Sequence, residues 1–195
     1  PPAPIKDEAR RLLGLPSSGP VIAFIGRLTS IKRPDRFAEV ARVVNSKRPD
    51  VHFVVAGAGD QEQALLESTW DLPVSLLGWR HDIETVLAAS DAVLLTSDNE
   101  GTPISLIQAG MAGLPVVASD VGSVKDVVIN GETGWIAPPE VRSLSQATLE
   151  LLSDSGKGAQ RGAAAKVYTR ASYGVERLVS DHVFLYRAIE RAKRS

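Results

Sequence analysis

Short apolar runs alternate with amphipathic segments along this chain, and this alternation constrains the fold more than any other feature. About six runs have the β-branched, apolar character of buried strands: 21–25, 51–56, 74–77, 92–95, 115–118 and 134–136. Helical patterns lie between them at 34–46, 60–68, 82–89 and 102–112. Because each strand feeds a helix that returns the chain, the sequence predicts an α/β fold with a doubly wound, mostly parallel six-stranded sheet.

The domain organisation follows from length and composition. With 195 residues, 44% hydrophobic and 23% charged, the chain is long enough for one domain with a full core. We expect a linker and a first helix within 1–20 and a C-terminal helix at 172–195. Beyond residue 142 the pattern is helical, with segments at 144–152, 158–170 and 173–193.

Charge and cysteine content narrow the function classes. A net charge of −1 gives no basic surface for nucleic acid, so we expect no nucleic-acid partner. The absence of cysteine suits a reducing compartment, which makes a cytoplasmic location the default. The chain contains no run of 18 apolar residues, so the sequence predicts no transmembrane segment. The opening residues 1–4 carry no apolar signal region and read as a linker cut from something longer.

The segment 97–119 has the composition of a site rather than of a core. Thr102 suits a helix N-cap, and Pro103 suits the first helical position. The free amides and positive dipole end of that helix would then face the crevice outside the strand 92–95, where open α/β sheets bind ligands. An anionic ligand is the natural expectation.

Two cations follow the first strand. Arg27 offers a planar five-donor fork and Lys32 a mobile point charge, a combination that suits two linked phosphates. The alternative is two solvated loop cations. If the strands 21–25 and 92–95 are neighbours, the same crevice also holds the Glu100 loop.

We expect structural roles for the remaining candidate residues, which are three histidines and two glycines. His52 and His182 lie in a strand pattern and a helix pattern without ligand partners at metal spacing. His81 opens a helix, where we expect it to be solvated, with an approach to a ligand as the alternative. Gly57 and Gly59 lack the rest of a dinucleotide fingerprint.

In their order along the chain, several motifs resemble the retaining, nucleotide-sugar-dependent glycosyltransferases of group 1. These enzymes, similar to glycogen synthase and sucrose synthase, have two Rossmann-like lobes in the GT-B architecture. The matching pieces are 26–28 with Lys32, 56–60, 77–79, 89–92, 97–119, 120–122 and 130–136. The resemblance implies that 1–195 is the C-terminal, nucleotide-sugar-binding lobe, and that the N-terminal acceptor-binding lobe is absent from this chain.

The resemblance also implies roles for individual residues. Arg27 and Lys32 would act on the donor diphosphate and stabilise charge on the leaving group. Glu100 would lie near the donor sugar. Backbone groups of Gly101 and Thr102 would contact sugar hydroxyls or phosphate, and Gly26 and Pro103 belong to the same donor-binding set.

The nucleoside end of the site contains the main departure from the family pattern. Trp79 and Arg80, after the third strand, are candidates for base contacts. The family has a second glutamate, on the ribose hydroxyls, where this chain has Gln108. An amide has one acceptor oxygen, so we expect altered affinity or donor choice.

The implied reaction is transfer of a sugar from a nucleoside diphosphate sugar to an acceptor hydroxyl, with retention at the anomeric carbon. We expect no metal and no cofactor, because the cations replace the metal and no Asp-x-Asp pair is present. The chain alone would bind donor and transfer little, and any peripheral membrane contact would come through the missing lobe. The alternatives are a degenerate nucleotide-sugar-binding module and a nucleotide-sugar epimerase.

Overall fold

Six strands form one parallel sheet in the computed structural model, which describes residues 3–194. They are β1 (Val21–Ile25), β2 (His52–Ala56), β3 (Val74–Leu76), β4 (Ala92–Leu95), β5 (Val116–Ser119) and β6 (Trp135–Ala137). The spatial order is β3-β2-β1-β4-β5-β6, and every neighbouring pair is parallel. The predicted doubly wound α/β sheet is therefore confirmed.

Helices cover both faces of the sheet. They are α1 (Lys6–Leu12), α2 (Pro34–Lys47), α3 (Glu62–Thr69), α4 (Ile83–Ala89), α5 (Ile104–Ala112), α6 (Val124–Val127), α7 (Val141–Ser153), α8 (Ser155–Tyr173) and α9 (Val175–Arg194). A short 3₁₀ turn, Ser30–Lys32, precedes α2.

The sheet separates two apolar cores. On one face, α2, α3 and α7 pack over an aromatic row in which Phe37 lies edge-on to Phe24 at 5.3 Å and to Phe53 at 5.8 Å between ring centroids. On the other face, α1, α4, α5 and α6 bury small and branched side chains. Because the strands are covered on both faces, β1, β2, β4 and β5 are apolar almost throughout.

An acidic anchor holds the amino ends of the strands. Asp91 accepts from Arg10 at 2.8 Å and from the backbone amide of Val21 at 2.7 Å, and it also pairs with Lys6. The anchor joins α1, β1 and β4 at the edge of the sheet opposite the carboxyl ends of the strands. Residues 89–92, one of the pieces that carry the family resemblance, are therefore structural and remote from the expected crevice.

The predicted strand bounds agree with the observed ones within one residue, but one helix start is wrong. Thr102 is not the N-cap of α5, because Pro103 occupies that position in an extended conformation and the helix begins at Ile104. The α6 helix and the 3₁₀ turn are not in the predicted pattern, because four and three residues are too few to show a period. Within the predicted linker, Pro1 and Pro2 lie outside the described residues, as does Ser195 in the predicted C-terminal helix.

The last helix, α9, carries an apolar stripe that stays exposed. Its large apolar side chains include Leu178, Val183, Phe184, Tyr186 and Ile189, each at least 41% accessible. The helix contacts the body through α8 near its start. Within residues 3–194, no helix combines the length and apolarity that crossing a membrane demands.

A half-buried histidine makes the stability of the sheet sensitive to pH. His52 opens β2, and its Nε2 lies 2.9 Å from Ser75 Oγ on β3. Burial lowers the pKa of His52, with a smaller contribution from the charge of Arg10. The unfolded chain therefore binds a proton at higher pH than the folded chain, and acidification through the unfolded pKa of about 6.5 favours unfolding.

We predict that His52→Gln reduces the loss of unfolding free energy between pH 7.5 and pH 5.5, measured by urea denaturation. His182→Gln, on exposed α9, is the matched control and should keep the wild-type pH dependence. The same dependence of the unfolding free energy on pH in wild type and both variants would contradict the prediction.

Candidate functional site

The strand order places a crevice between β1 and β4. From β1 the sheet grows toward β2 and β3 on one side, and toward β4, β5 and β6 on the other. The loop after β1 leads to α2 on one face of the sheet, while the loop after β4 leads to α5 on the opposite face. At such a switch point the loops diverge and leave a crevice outside the carboxyl ends of the strands.

An ion pair bridges this crevice. Lys32 Nζ, from the loop after β1, lies 2.6 Å from Glu100 Oε1 and 2.8 Å from Oε2, in the loop after β4. The carboxylate is buried, with 6% of its side chain accessible, whereas the lysine side chain is 23% accessible. Ser97 Oγ donates to Glu100 Oε1 at 2.6 Å and fixes the carboxylate from behind. The structure thus joins two of the three predicted catalytic residues.

Arg27, on the loop after β1, is an unpaired cation within the part of the chain that the structure describes. Its side chain is exposed, and within residues 3–194 its guanidinium makes no hydrogen bond or ion pair. By contrast, Lys32, Arg33, Arg36 and Arg80 each have a carboxylate partner. Arg27 therefore keeps all of its donors available to an anion.

Backbone donors lie in the same loop as Glu100. Within the described part of the chain, the amides of Gly101, Thr102, Ile104 and Ser105 have no acceptor, and Pro103 between them has no N–H. The expected cluster of free donors is present, although Thr102 supplies an amide rather than a side-chain cap. Gly26 differs, because its amide donates to Ala56 O at 3.1 Å.

Glycines let the loops after β4 and β5 touch through their backbones. Gly122 has a φ of 49°, and a Cβ there would lie 1.9 Å from the carbonyl oxygen of Glu100. The next residue, Ser123, donates its amide to that oxygen at 3.0 Å. The backbone of Glu100 is therefore fixed from the β5 side as well as from the Lys32 side.

The loop after β2 supports the loop that carries Arg27. A Cβ at Gly59 would lie 2.2 Å from the carbonyl oxygen of Leu28, and Gln61 donates its amide to that oxygen at 2.9 Å. Leu28 in turn donates its own amide to Ala58 O at 3.0 Å. Gly57 also lies against a neighbouring loop, since a Cβ there would be 1.8 Å from the carbonyl oxygen of Gly26, so both glycines serve packing between loops.

A charged network behind the ion pair was missed by the sequence reasoning. Asp98 accepts from Arg33 at 3.0 Å and from Arg36 at 2.7 Å, and Arg36 also donates to Thr96 O at 2.7 Å. Burial disfavours the charged carboxyl, but the hydrogen bonds from Arg36 and Arg33 outweigh it and lower the pKa of Asp98. The position of Asp98 two residues before Glu100 was the available signal, but no spacing rule names its partners.

The predicted nucleoside contacts separate in the structure. Gln108 is exposed in a cavity of about 710 Å³ that runs along α4 and α5 from His81 to Lys6 on α1 and Lys166 on α8. Trp79 is 65% exposed and stands edge-on to His81, with 3.9 Å between ring centroids.

Beside Trp79, the guanidinium of Arg80 is engaged by Asp82 at 2.7 Å. The cavity therefore contains Gln108 and His81, but neither of the two predicted base-contact residues. Among residues 3–194, no three histidine or carboxylate side chains form a group that could hold a metal ion.

The fold and the crevice define a Rossmann-like α/β lobe whose loops diverge at a topological switch point. Residues 19–154 match the sequence model of the family described as "Glycosyl transferases group 1". The chain belongs to this family of glycosyltransferases.

Individual relatives agree with this assignment. The chain is 34% identical over 137 residues to UDP-Gal:alpha-D-GlcNAc-diphosphoundecaprenol alpha-1,3-galactosyltransferase of Escherichia coli, covering 67% of this chain and 35% of that protein. It is 30% identical over 199 residues to D-inositol 3-phosphate glycosyltransferase of Corynebacterium urealyticum, covering 94% and 46%. The chain therefore spans half or less of the length of these relatives.

Solved structures share the fold. Sucrose-phosphate synthase of Thermosynechococcus elongatus superposes with a TM-score of 0.83 at 23% identity, covering 95% of this chain and 49% of that one. The C-terminal domain of a group 1 glycosyl transferase from Francisella tularensis superposes with a TM-score of 0.77 at 22% identity, covering 89% and 95%. The described lobe thus corresponds in extent to that separately crystallised domain.

We predict that Gly122→Ala lowers the free energy of unfolding by about 3 kcal/mol, because a left-handed backbone and an overlap with the Glu100 carbonyl both oppose a side chain. Urea denaturation measures the change. Gly101→Ala is the control, since a Cβ there meets nothing within 4 Å and the residue has no positive φ. Equal stability of the two variants would show that the β5 loop does not support Glu100 as described.

Proposed function

We propose that this chain is the donor-binding lobe of a retaining glycosyltransferase, which transfers a sugar from a nucleoside diphosphate sugar to an acceptor hydroxyl. The observation that carries the proposal is the meeting of Lys32 and Glu100 across the switch point, beside an unpaired Arg27 and unpaired loop amides. These groups supply the cations and hydrogen-bond donors that a diphosphate requires, and a carboxylate suited to sugar hydroxyls.

In the proposed complex, Arg27 and Lys32 bind the diphosphate. Both cations also stabilise the negative charge that develops on the leaving diphosphate as the glycosidic bond breaks. This stabilisation is the catalytic role proposed for them. The acceptor hydroxyl would then attack the same face of the sugar. The Gly26 amide donates to Ala56 O and is therefore not available to the ligand. In this proposal, Gly26 only allows the ligand to approach the backbone closely.

Glu100 and the neighbouring amides bind the sugar in this proposal. When the diphosphate takes Lys32, the Glu100 carboxylate still holds its hydrogen bond from Ser97 and keeps lone pairs for sugar hydroxyls. Gly101 and Thr102 offer backbone donors to the remaining sugar or phosphate oxygens, and Pro103 fixes the turn between these donors and α5.

The nucleoside lies in the cavity between α4 and α5 in this proposal. Gln108, one helical turn into α5, reaches the ribose, and His81 replaces Trp79 as the aromatic neighbour within the cavity. Trp79 stays exposed and packs edge-on against His81. Arg80 would have to break its hydrogen bond to Asp82 before it could contact the base. A nucleotide-sugar ligand is supported by the 34% identical galactosyltransferase of Escherichia coli, whose name gives UDP-Gal as the donor.

Binding is proposed to be independent of metal, because two cationic side chains can neutralise the diphosphate directly. The acceptor would bind to a second lobe. This is consistent with the share of three relatives' length that the chain covers, which is 35% to 48%. Transfer by this chain alone is therefore expected to be slight.

We predict that one of UDP, GDP and ADP binds the chain in isothermal titration calorimetry with the same affinity with and without magnesium. Arg27→Ala should weaken that binding about tenfold or more, because a charge-assisted bidentate contact is lost. Arg11→Ala removes an exposed arginine from α1 and serves as the matched control.

The outcomes separate the alternatives. A magnesium requirement would refute the metal-independent site, and equal binding by wild type and Arg27→Ala would refute the role of Arg27. Absence of binding by all three nucleotides would refute an autonomous donor-binding lobe. Sugar interconversion without acceptor would identify an epimerase, and nucleotide binding without transfer in a protein with both lobes would identify a degenerate module.

We predict that Gln108→Glu tightens nucleotide binding by about 1–2 kcal/mol, because a carboxylate accepts hydrogen bonds from both ribose hydroxyls. Gln160→Glu adds the same charge on the exposed surface of α8 and should leave the affinity unchanged. Calorimetry measures both variants. Unchanged or weaker binding by Gln108→Glu would remove Gln108 from the ribose site.

A further inference from the structure

Arg33 has an unfavourable backbone conformation next to the site lysine. Its φ of 53° and ψ of 56° are left-handed, and among residues 3–194 no other residue besides glycine has a positive φ. A side chain makes this conformation costly, whereas glycine adopts it freely. Such a residue persists where the surrounding contacts determine its conformation, so its side chain requires an explanation.

The Arg33 side chain joins the two loops of the crevice. It donates to Asp35 at 2.7 Å, beside it on α2, and across the crevice to Asp98 at 3.0 Å. Asp98 is two residues before Glu100, and its amide donates to Ile31 O at 2.9 Å, one residue before Lys32. Each loop thus contacts the other immediately beside its own member of the ion pair.

A threonine closes the same connection. Thr96 Oγ1 lies 3.1 Å from the carbonyl oxygens of both Lys32 and Arg33, and Arg36 Nη1 donates to Thr96 O at 2.7 Å. The backbone on both sides of Lys32 is therefore held by the segment that follows β4.

We propose that Arg33 and Asp98 are positioning residues, which hold the loop of Lys32 against the loop of Glu100 and so aim the Lys32 ammonium at the donor diphosphate. This inference rests on the proposed function. Neither side chain has to touch the ligand, because Arg33 is engaged by Asp35 and Asp98, and Asp98 by Arg33 and Arg36.

A purely structural role would favour a different residue. Glycine would relieve the left-handed strain at position 33, so a need for the turn alone would be met better without a side chain. The guanidinium at this position therefore supplies contacts that a glycine turn would lack. Arg33→Gly separates these contributions, because it removes the side chain and the strain together.

The first test compares stability with diphosphate affinity in the 195-residue chain. Arg33→Gly is expected to keep or raise the thermal midpoint of unfolding. It should weaken about tenfold the binding of whichever of UDP, GDP and ADP the wild type binds most tightly. Asp98→Asn should weaken it similarly. Asp50→Asn, which removes a carboxylate from the exposed Arg48–Asp50 pair, is the matched control and should bind as wild type.

The second test asks whether the effect passes through Lys32. Arg33→Gly and Lys32→Ala should both lose affinity for the diphosphate while losing less affinity for the matching monophosphate. A loss of similar size for both nucleotides, or diphosphate binding by Arg33→Gly within twofold of wild type, would overturn the proposal.

A third measurement needs no nucleotide. The amide of Asp98 should exchange hydrogen at least tenfold faster in Arg33→Gly, while amides of β1 keep their wild-type protection. Unchanged protection at Asp98 would overturn the proposal whether or not nucleotide binds. If the wild type binds no nucleotide, the proposed function and the positioning role both fail, and faster exchange at Asp98 would then report only a contact between loops.

Discussion

The parallel pairing of β1 with β4 at the centre of the sheet is the constraint on which the site depends. Because helices on opposite faces follow these two neighbouring strands, their loops diverge, and no backbone ladder continues across the gap. One backbone hydrogen bond, from the Asp98 amide to Ile31 O, still joins the loops, and side chains supply the contact at the site itself, Lys32 from one loop and Glu100 from the other. The chemistry of the crevice is thus a result of topology, because the same residues on adjacent loops of one face would not oppose each other.

Backbone contacts give the loops their precision. Gly59 against Leu28 and Gly122 against Glu100 leave no room for a Cβ, so each loop rests on a neighbouring carbonyl group rather than on a flexible side chain. The Asp91 anchor holds the opposite edge of the sheet, and the site residues are therefore mounted on strands whose ends are fixed. Catalytic groups require this rigidity, since their geometry must hold before the ligand arrives.

The sequence was informative where local rules apply. Apolar runs predicted the strands within a residue, and the positions of Arg27, Lys32 and Glu100 at strand ends predicted their shared crevice. The prediction of the start of α5 was wrong, because the dipeptide Thr102–Pro103 is compatible with a cap at either residue. The sequence reasoning also failed for Arg33 and Asp98, because their pairing depends on a left-handed turn that no side-chain pattern specifies. The placement of Gln108 with His81 depends on helix packing, which the sequence does not encode locally.

In the described part of the chain, the crevice holds the charge-compensated pair Lys32–Glu100 and, on the loop after β1, the unpaired Arg27. An anion that captures Lys32 exchanges one ion pair for another, so most of its net electrostatic gain comes from Arg27. The exchange also uncovers the Glu100 carboxylate, an acceptor that is fully available only after the anion has arrived. A second anionic group would meet repulsion there, while a hydroxyl-rich group would find a partner. In the proposed complex, the ion pair would therefore favour a ligand that carries a neutral, hydroxyl-rich group next to its anionic group.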